Sequence, residues 1–295
     1  MMAWLDSDAP ATRRQAWLGR LYRGGAGFRH HPMAVAGAAI ILIVALLAIV
    51  APLVAPYGPS AQDLALRLQP PGAAHWLGTD ELGRDILSRL IYGARVTLGI
   101  VVLVSVVTAP IGLLLGCAAG YFGGWAEAAL MRITDVFLAL PRLILALAFV
   151  AALGPGIENA VLAIAIVAWP PYARVARAET LALRRAEFIE AARLAGASPF
   201  RIVLRHIMPL CLPSVVVRMS LDMAGVILTA AGLGFLGLGA QPPTPEWGAM
   251  IASGRQYMLD HWWVAAMPGI AIAVLSLAFN LLGDGLRDWL DPKQK

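Results

Sequence analysis

Apolar residues in this chain fall in long unbroken runs separated by short polar stretches. Met33 to Val54 is 22 residues without a charge, Val96 to Gly120 is 25 and Trp262 to Leu282 is 21. Each exceeds the roughly 20 residues a helix needs to span a bilayer. Three further runs, about Trp125 to Leu153, Gly156 to Val175 and Leu210 to Leu236, are interrupted by single charges or prolines. The pattern predicts an all-α membrane protein of about six transmembrane helices, because open strands cannot satisfy their backbone in lipid.

Composition agrees. Hydrophobic residues make up 59% of the 295, charged residues 14%, and mean hydropathy is +0.72, against roughly 25% charged in an ordinary soluble domain. With the N-terminus placed inside, fifteen Arg and Lys residues fall in the tails and in the loop between the fourth and fifth spans, against five in the outer loops. The positive-inside rule then predicts that both termini and that loop are cytoplasmic. A pI of 9.6 follows from this topology and calls for no nucleic acid. The apolar run at Met33 is longer than the roughly 7–15 residues of a signal-peptide core, so a retained anchor is expected. Arg13-Arg14 lies too far from that run to read as a twin-arginine signal.

Several chemistries are excluded. The only lysines are Lys293 and Lys295, so no phosphate loop with its lysine is present. Gly232 to Gly237 matches GxGxxG but follows an apolar helix rather than a strand. His30, His31, His75, His206 and His261 have no metal spacing, and Cys117 and Cys211 fall in or beside spans, where small core residues are expected. No catalytic, cofactor or metal residues are predicted.

Polar features inside the spans suggest local roles. Arg218 and Asp222 lie one turn apart and Arg132 and Asp135 three residues apart, spacings that predict pairing. Arg142, beside Pro141, has no local partner and is expected to face another helix or a water-filled path. Gly112, Gly116 and Gly120 predict a close helix contact. Trp169-Pro170-Pro171 predicts a broken helix. In the outer segment, Thr79 or Asp80 is a predicted cap for an amphipathic helix, with Ile86, Leu87, Leu90 and Ile91 on one face, running into the second span.

The most informative stretch is Glu190 to Pro209, EAARLAGASPFRIVLRHIMP, polar and arginine-rich in an otherwise oily chain. Phe188 to Ala195 predicts a short helix with Glu190 near its positive end. Gly196 permits a left-handed turn, and Ser198-Pro199 predicts the start of a second short helix to about Ile207. Pro209 then marks entry into the fifth span. Ala191, Ala192 and Ala195 predict a shallow apolar face on this knob; spacing alone leaves a partnerless loop equally open.

The stretch resembles the EAA loop of ABC-transporter permeases. Together with Leu77 to Arg95, Gly232 to Met250 and Phe279 to Pro292, it makes the chain similar to the C-type permease of dipeptide, oligopeptide and nickel importers, over nearly everything after Met33. His206 and Met208 depart from the general pattern of isoleucine and leucine. The resemblance implies a type I ABC importer permease fold in the bacterial inner membrane. It also implies a B-type permease partner, two cytoplasmic ATPases and an extracytoplasmic substrate-binding protein. Glu190, Ala191, Ala192, Gly196 and Pro209 would couple the ATPases to the membrane helices. The expected organisation is a cytoplasmic tail 1–32, a first helix 33–54, an outer loop with an amphipathic helix 55–95, a five-helix core 96–283 with a coupling loop 178–209, and a cytoplasmic tail 284–295. An ion-gradient-driven transporter, a structural anchor, or the same family carrying nickel or another small substrate remain as alternatives.

Overall fold

A computed structural model describes Thr12 and residues 31–290 of the chain, with the side chain of Leu290 excluded. The basic N-terminal tail and the final lysines lie outside the described residues. The secondary structure consists of helices: α1 Pro32–Ile49, α2 Ile86–Phe122, α3 Gly124–Ala139, α4 Arg142–Leu153, α5 Ile157–Ala168, α6 Pro170–Leu183, α7 Glu187–Leu194, α8 Pro199–Ile202, α9 Met208–Phe235, α10 Trp247–Gly254 and α11 Trp263–Leu290. Among the described residues five helical runs are long and apolar enough to cross a membrane, and α3 with α4 supplies a sixth if that bent pair is one span.

The second span is longer than its apolar run. At about 1.5 Å per residue, the 37 residues of α2 reach well beyond a hydrocarbon core of about 30 Å. The helix is capped by Asp85, whose side chain accepts from the Ser88 amide at 2.7 Å, and not by Thr79 or Asp80. Gly83, at φ +71°, turns the chain away from helix just before this point. Asp80 instead accepts from the Leu82 and Arg84 amides and from Arg84 Nε. Arg84, Asp85 and Arg89 are buried, where a solvent-facing polar side was expected. His75 meets Asp85 at 2.9 Å and Arg89 donates to the Pro59 carbonyl. These contacts fasten residues 57–85 to the N-terminal end of α2.

Glycine at every fourth position acts as expected. A Cβ at Gly112 would lie 2.8 Å from the Trp169 carbonyl, at Gly116 2.7 Å from Ala176 Cβ and at Gly120 2.7 Å from Thr180 Cβ. The absent side chains let α2 lie directly on α6, one of the most extensive contacts in the fold, with α9 on α11 and α11 on α1. Cys117 and Cys211 are buried and unbridged.

Two spans depart from expectation. The third is two helices, α3 and α4, at 96° to each other. Pro141 restricts Leu140 to an extended conformation (φ −100°, ψ 142°), as a proline does to its predecessor. The fourth is not broken at Trp169-Pro170-Pro171: Trp169 stays helical (φ −71°, ψ −27°) and accepts from the Tyr172 and Ala173 amides. The two halves form one 27-residue run, Ile157–Leu183.

Beyond the C-terminal end of α9, Glu246 is buried and caps α10, accepting from the Gly248 and Ala249 amides at 2.8 and 2.7 Å. Trp247 Nε1 donates to the Leu90 carbonyl at 3.1 Å. The Gly232–Met250 stretch thereby ties α9 and α10 to α2.

Candidate functional site: a helical knob and an intramembrane ion cluster

The knob follows the sequence closely. Glu187 and Glu190 occupy the first turn of α7 and Arg193 its last, each suited to the helix dipole. Gly196 has φ +79°, and its amide donates to the Arg193 carbonyl while that of Ala197 donates to Ala192, both at 3.0 Å. That pair of bonds is a Schellman cap, which requires the left-handed residue. Ser198 then caps α8, accepting from the Arg201 amide, with Pro199 in its first turn.

The second helix is not separate, however. From Val203 to Ile207 the chain adopts a π-helical turn and continues as α9, so that Pro199–Phe235 is one 37-residue run. Pro209 comes just after the π-helical turn, so the regular α-helix begins beside it without a break in the run. The knob is therefore continuous with a candidate membrane span.

Ile189, Ile202 and Ile207 are fully buried in a core shared with Leu113, Tyr172, Cys211 and Val215. Each such side chain contributes about 1.5–3 kcal/mol, and together they fix the knob to α2, α6 and α9. Its outer face carries the candidate residues: Glu190, Ala191, Gly196 and Pro209 are exposed and Ala192 half-buried. Glu190 pairs with Arg193 at 2.9 Å. The apolar surface is larger than the alanines alone predict. Leu194 is 90% exposed and Phe200 71%, the latter edge-on to Phe122 at 6.2 Å. Their signal in the sequence is a large apolar side chain among charged neighbours in the loop.

The intramembrane charges pair across helices. Asp222 accepts from Arg142 through both oxygens, at 2.7 and 3.3 Å, and from the Tyr172 hydroxyl at 3.2 Å. Arg142 thus faces another helix, as expected. Arg218, the predicted partner of Asp222, remains 3.9 Å away. Asp135 pairs with Arg174 of α6 at 2.7 Å and not with Arg132. Arg218 thus keeps its ion pair with Asp222 at long range while Arg142 makes the short contacts, whereas Arg174 takes the place expected of Arg132 at Asp135.

Among the described residues no group of three or more His, Cys, Asp or Glu is arranged to hold a metal. The site combines a docking-shaped surface with charged contacts between spans.

Comparison with known proteins places these features. Residues 112–295 match the family described as binding-protein-dependent transport system inner membrane component, and residues 26–71 match the N-terminal TM domain of oligopeptide transport permease C. A probable D,D-dipeptide transport system permease of Escherichia coli K12 is 49% identical over 262 residues, covering 89% of this chain and 88% of that protein. A di/tripeptide transport system permease of Pseudomonas aeruginosa is 49% identical over 275 residues (91% and 90%). A glutathione transport system permease of Pectobacterium atrosepticum is 47% identical over 268 residues (90% and 89%). Two crystal forms of the inward-facing MetNI methionine ABC transporter share the fold, with TM-scores of 0.55 and 0.56 at 22% identity; they cover 69% and 70% of this chain and 97% and 98% of theirs. The chain belongs to the family of binding-protein-dependent transport system inner membrane components.

Proposed function

We propose that the chain forms, with a related B-type permease, the membrane path of an ATP-driven importer of di- or oligopeptides, and performs no chemistry of its own. The observation that carries this is a rigidly capped helix pair with exposed apolar residues, continuous with a membrane span. Cargo is inferred from the relatives described as dipeptide and di/tripeptide permeases. ATP hydrolysis belongs to two cytoplasmic ATPase subunits, and a binding protein delivers peptide from outside.

In this account both termini and the knob are cytoplasmic. Glu190, Ala191, Ala192 and Gly196 form the docking surface, while Pro209 lies on the shaft that carries motion into the membrane. ATP draws the ATPases together, the knobs follow, and α9 tilts because no hinge separates it from α8.

Gly196→Val and Glu190→Ala test the coupling role. A Cβ at Gly196 meets nothing within 4 Å, so valine adds only the backbone cost of a left-handed residue, about 1–2 kcal/mol. The variant should insert and pair with its permease partner while losing ATPase attachment and uptake; Glu190→Ala should show the same defect more mildly. Normal transport by both variants at wild-type levels would exclude the knob as the coupling element.

A further inference from the structure

The ion cluster within the membrane is unbalanced. Asp222 has both oxygens engaged by Arg142, with a third bond from Tyr172, and Arg174 is engaged by Asp135. Arg218 is left over. Among the described residues Arg218 makes no hydrogen bond; the carboxylate it pairs with, at 3.9 Å, is the occupied Asp222, and its Nε is buried without a partner. It lies within the candidate membrane span Pro199–Phe235. A guanidinium in such a span with its hydrogen bonds unmade is costly against hydrocarbon and marks a polar path or an arriving counter-charge.

Beside Arg218 is a cleft of about 390 Å³ lined by Leu138, Pro171, Arg174, Val175, Ala178 and Arg218. That is within the roughly 300–1,000 Å³ of small-molecule sites, which combine apolar walls with a few charged groups. Leu138 lies just before the break between α3 and α4, and Arg142 opens α4. The positive end of this half-helix therefore lies by the cluster, an arrangement by which discontinuous membrane helices favour anions. Room for a ligand, a surplus positive charge and a helix end of the same sign occur together.

We propose that Arg218 binds a carboxylate of the cargo within the membrane path, with Arg142 held in place by Asp222 and Tyr172 as the fixed cation behind it. This rests on the peptide-import assignment above, since a peptide with a free C-terminus brings one carboxylate. Guanidinium and carboxylate match as a planar, two-bond pair, so Arg218 contributes to orienting the peptide as well as attracting it.

The test uses the full complex in proteoliposomes, with its partner permease, ATPases and binding protein. Uptake of Ala-Ala is compared with that of Ala-Ala amide, each at a concentration that loads the binding protein equally. Arg218→Gln should slow uptake of the free acid by about tenfold or more, the loss of one charge-assisted contact. It should leave amide uptake within about twofold of wild type, with binding-protein-stimulated ATP hydrolysis retained. Arg218→Lys should recover most of the free-acid rate. Equal slowing of both cargoes, or no slowing, would overturn the assignment. So would loss of the partner permease from the Arg218→Gln complex, which would mean that an acid of that chain neutralises this guanidinium. Failure of the wild-type complex to move either cargo would instead remove the peptide assignment on which the proposal stands.

Discussion

Leu194 offers the sharpest separation between docking and folding. It is 90% exposed, so truncation to alanine removes almost no contact within the chain, and alanine is at least as good a helix former as leucine. The fold should therefore change by less than about 0.5 kcal/mol. If Leu194 enters a groove on an ATPase, Leu194→Ala removes three carbons from that interface. At about 0.8 kcal/mol per buried carbon this is about 2.4 kcal/mol, or about 50-fold in affinity. Ile189, one turn earlier and fully buried, supplies the contrast: Ile189→Ala should cost about 2–5 kcal/mol in stability and disturb docking only by loosening the knob. The assay titrates ATPase subunits onto the permease pair held in nanodiscs and records thermal unfolding of the same samples. Wild-type affinity for Leu194→Ala, with unchanged unfolding, would refute the assignment of this face to the ATPase.

The remaining predictions concern packing, ionisation and topology. Gly116→Val places a Cβ 2.7 Å from that of Ala176 and should lower thermal stability by about 1–3 kcal/mol or more, whereas Gly99→Ala, with nothing within 4 Å, should be nearly neutral in the same melts. Burial holds the Glu246 carboxyl above its usual range, partly offset by the Gly248 and Ala249 amides. The folded state then binds that proton more tightly than the unfolded chain, so this contribution is complete below the ordinary value of about 4.3 and declines as pH rises through the raised one. Melting curves of Glu246→Gln should lack that decline. A reporter active only outside the membrane should be silent after Lys295 or within Thr180–Arg185 and active at Gln62; activity at both of the first two sites would reverse the orientation.

What could be read from sequence was whatever depends on a short contiguous window. The spans were legible because lipid demands continuous apolar runs. The Gly196 turn was legible because glycine, serine and proline each fix a local backbone state. Pairing of charges was legible only in part, since spacing along one helix says nothing of the charges on its neighbours. Arg142 reaches Asp222 through both oxygens from across a helix contact, and nothing in the spacing of Arg218 and Asp222 announces that competitor. The continuity of α8 into α9 was also hidden, because Pro209 reads as a boundary although the π-helical turn Val203–Ile207 carries the run into it.

The two proline sites show where local signals end. Leu140-Pro141 and Trp169-Pro170-Pro171 both suggest a break, the second more strongly, yet only the first bends the chain. What surrounds each site accounts for the difference. Trp169, Tyr172 and Ala173 lie against the Gly112–Gly116 face of α2, where even a single methyl would collide, and the dense contact between α2 and α6 keeps the run continuous despite its missing donors. Leu140 and Pro141 are exposed, with no such wall to oppose the extended conformation that proline imposes on Leu140. The bend therefore forms where packing is absent, while the glycines that let α2 lie along α6 support the second proline site.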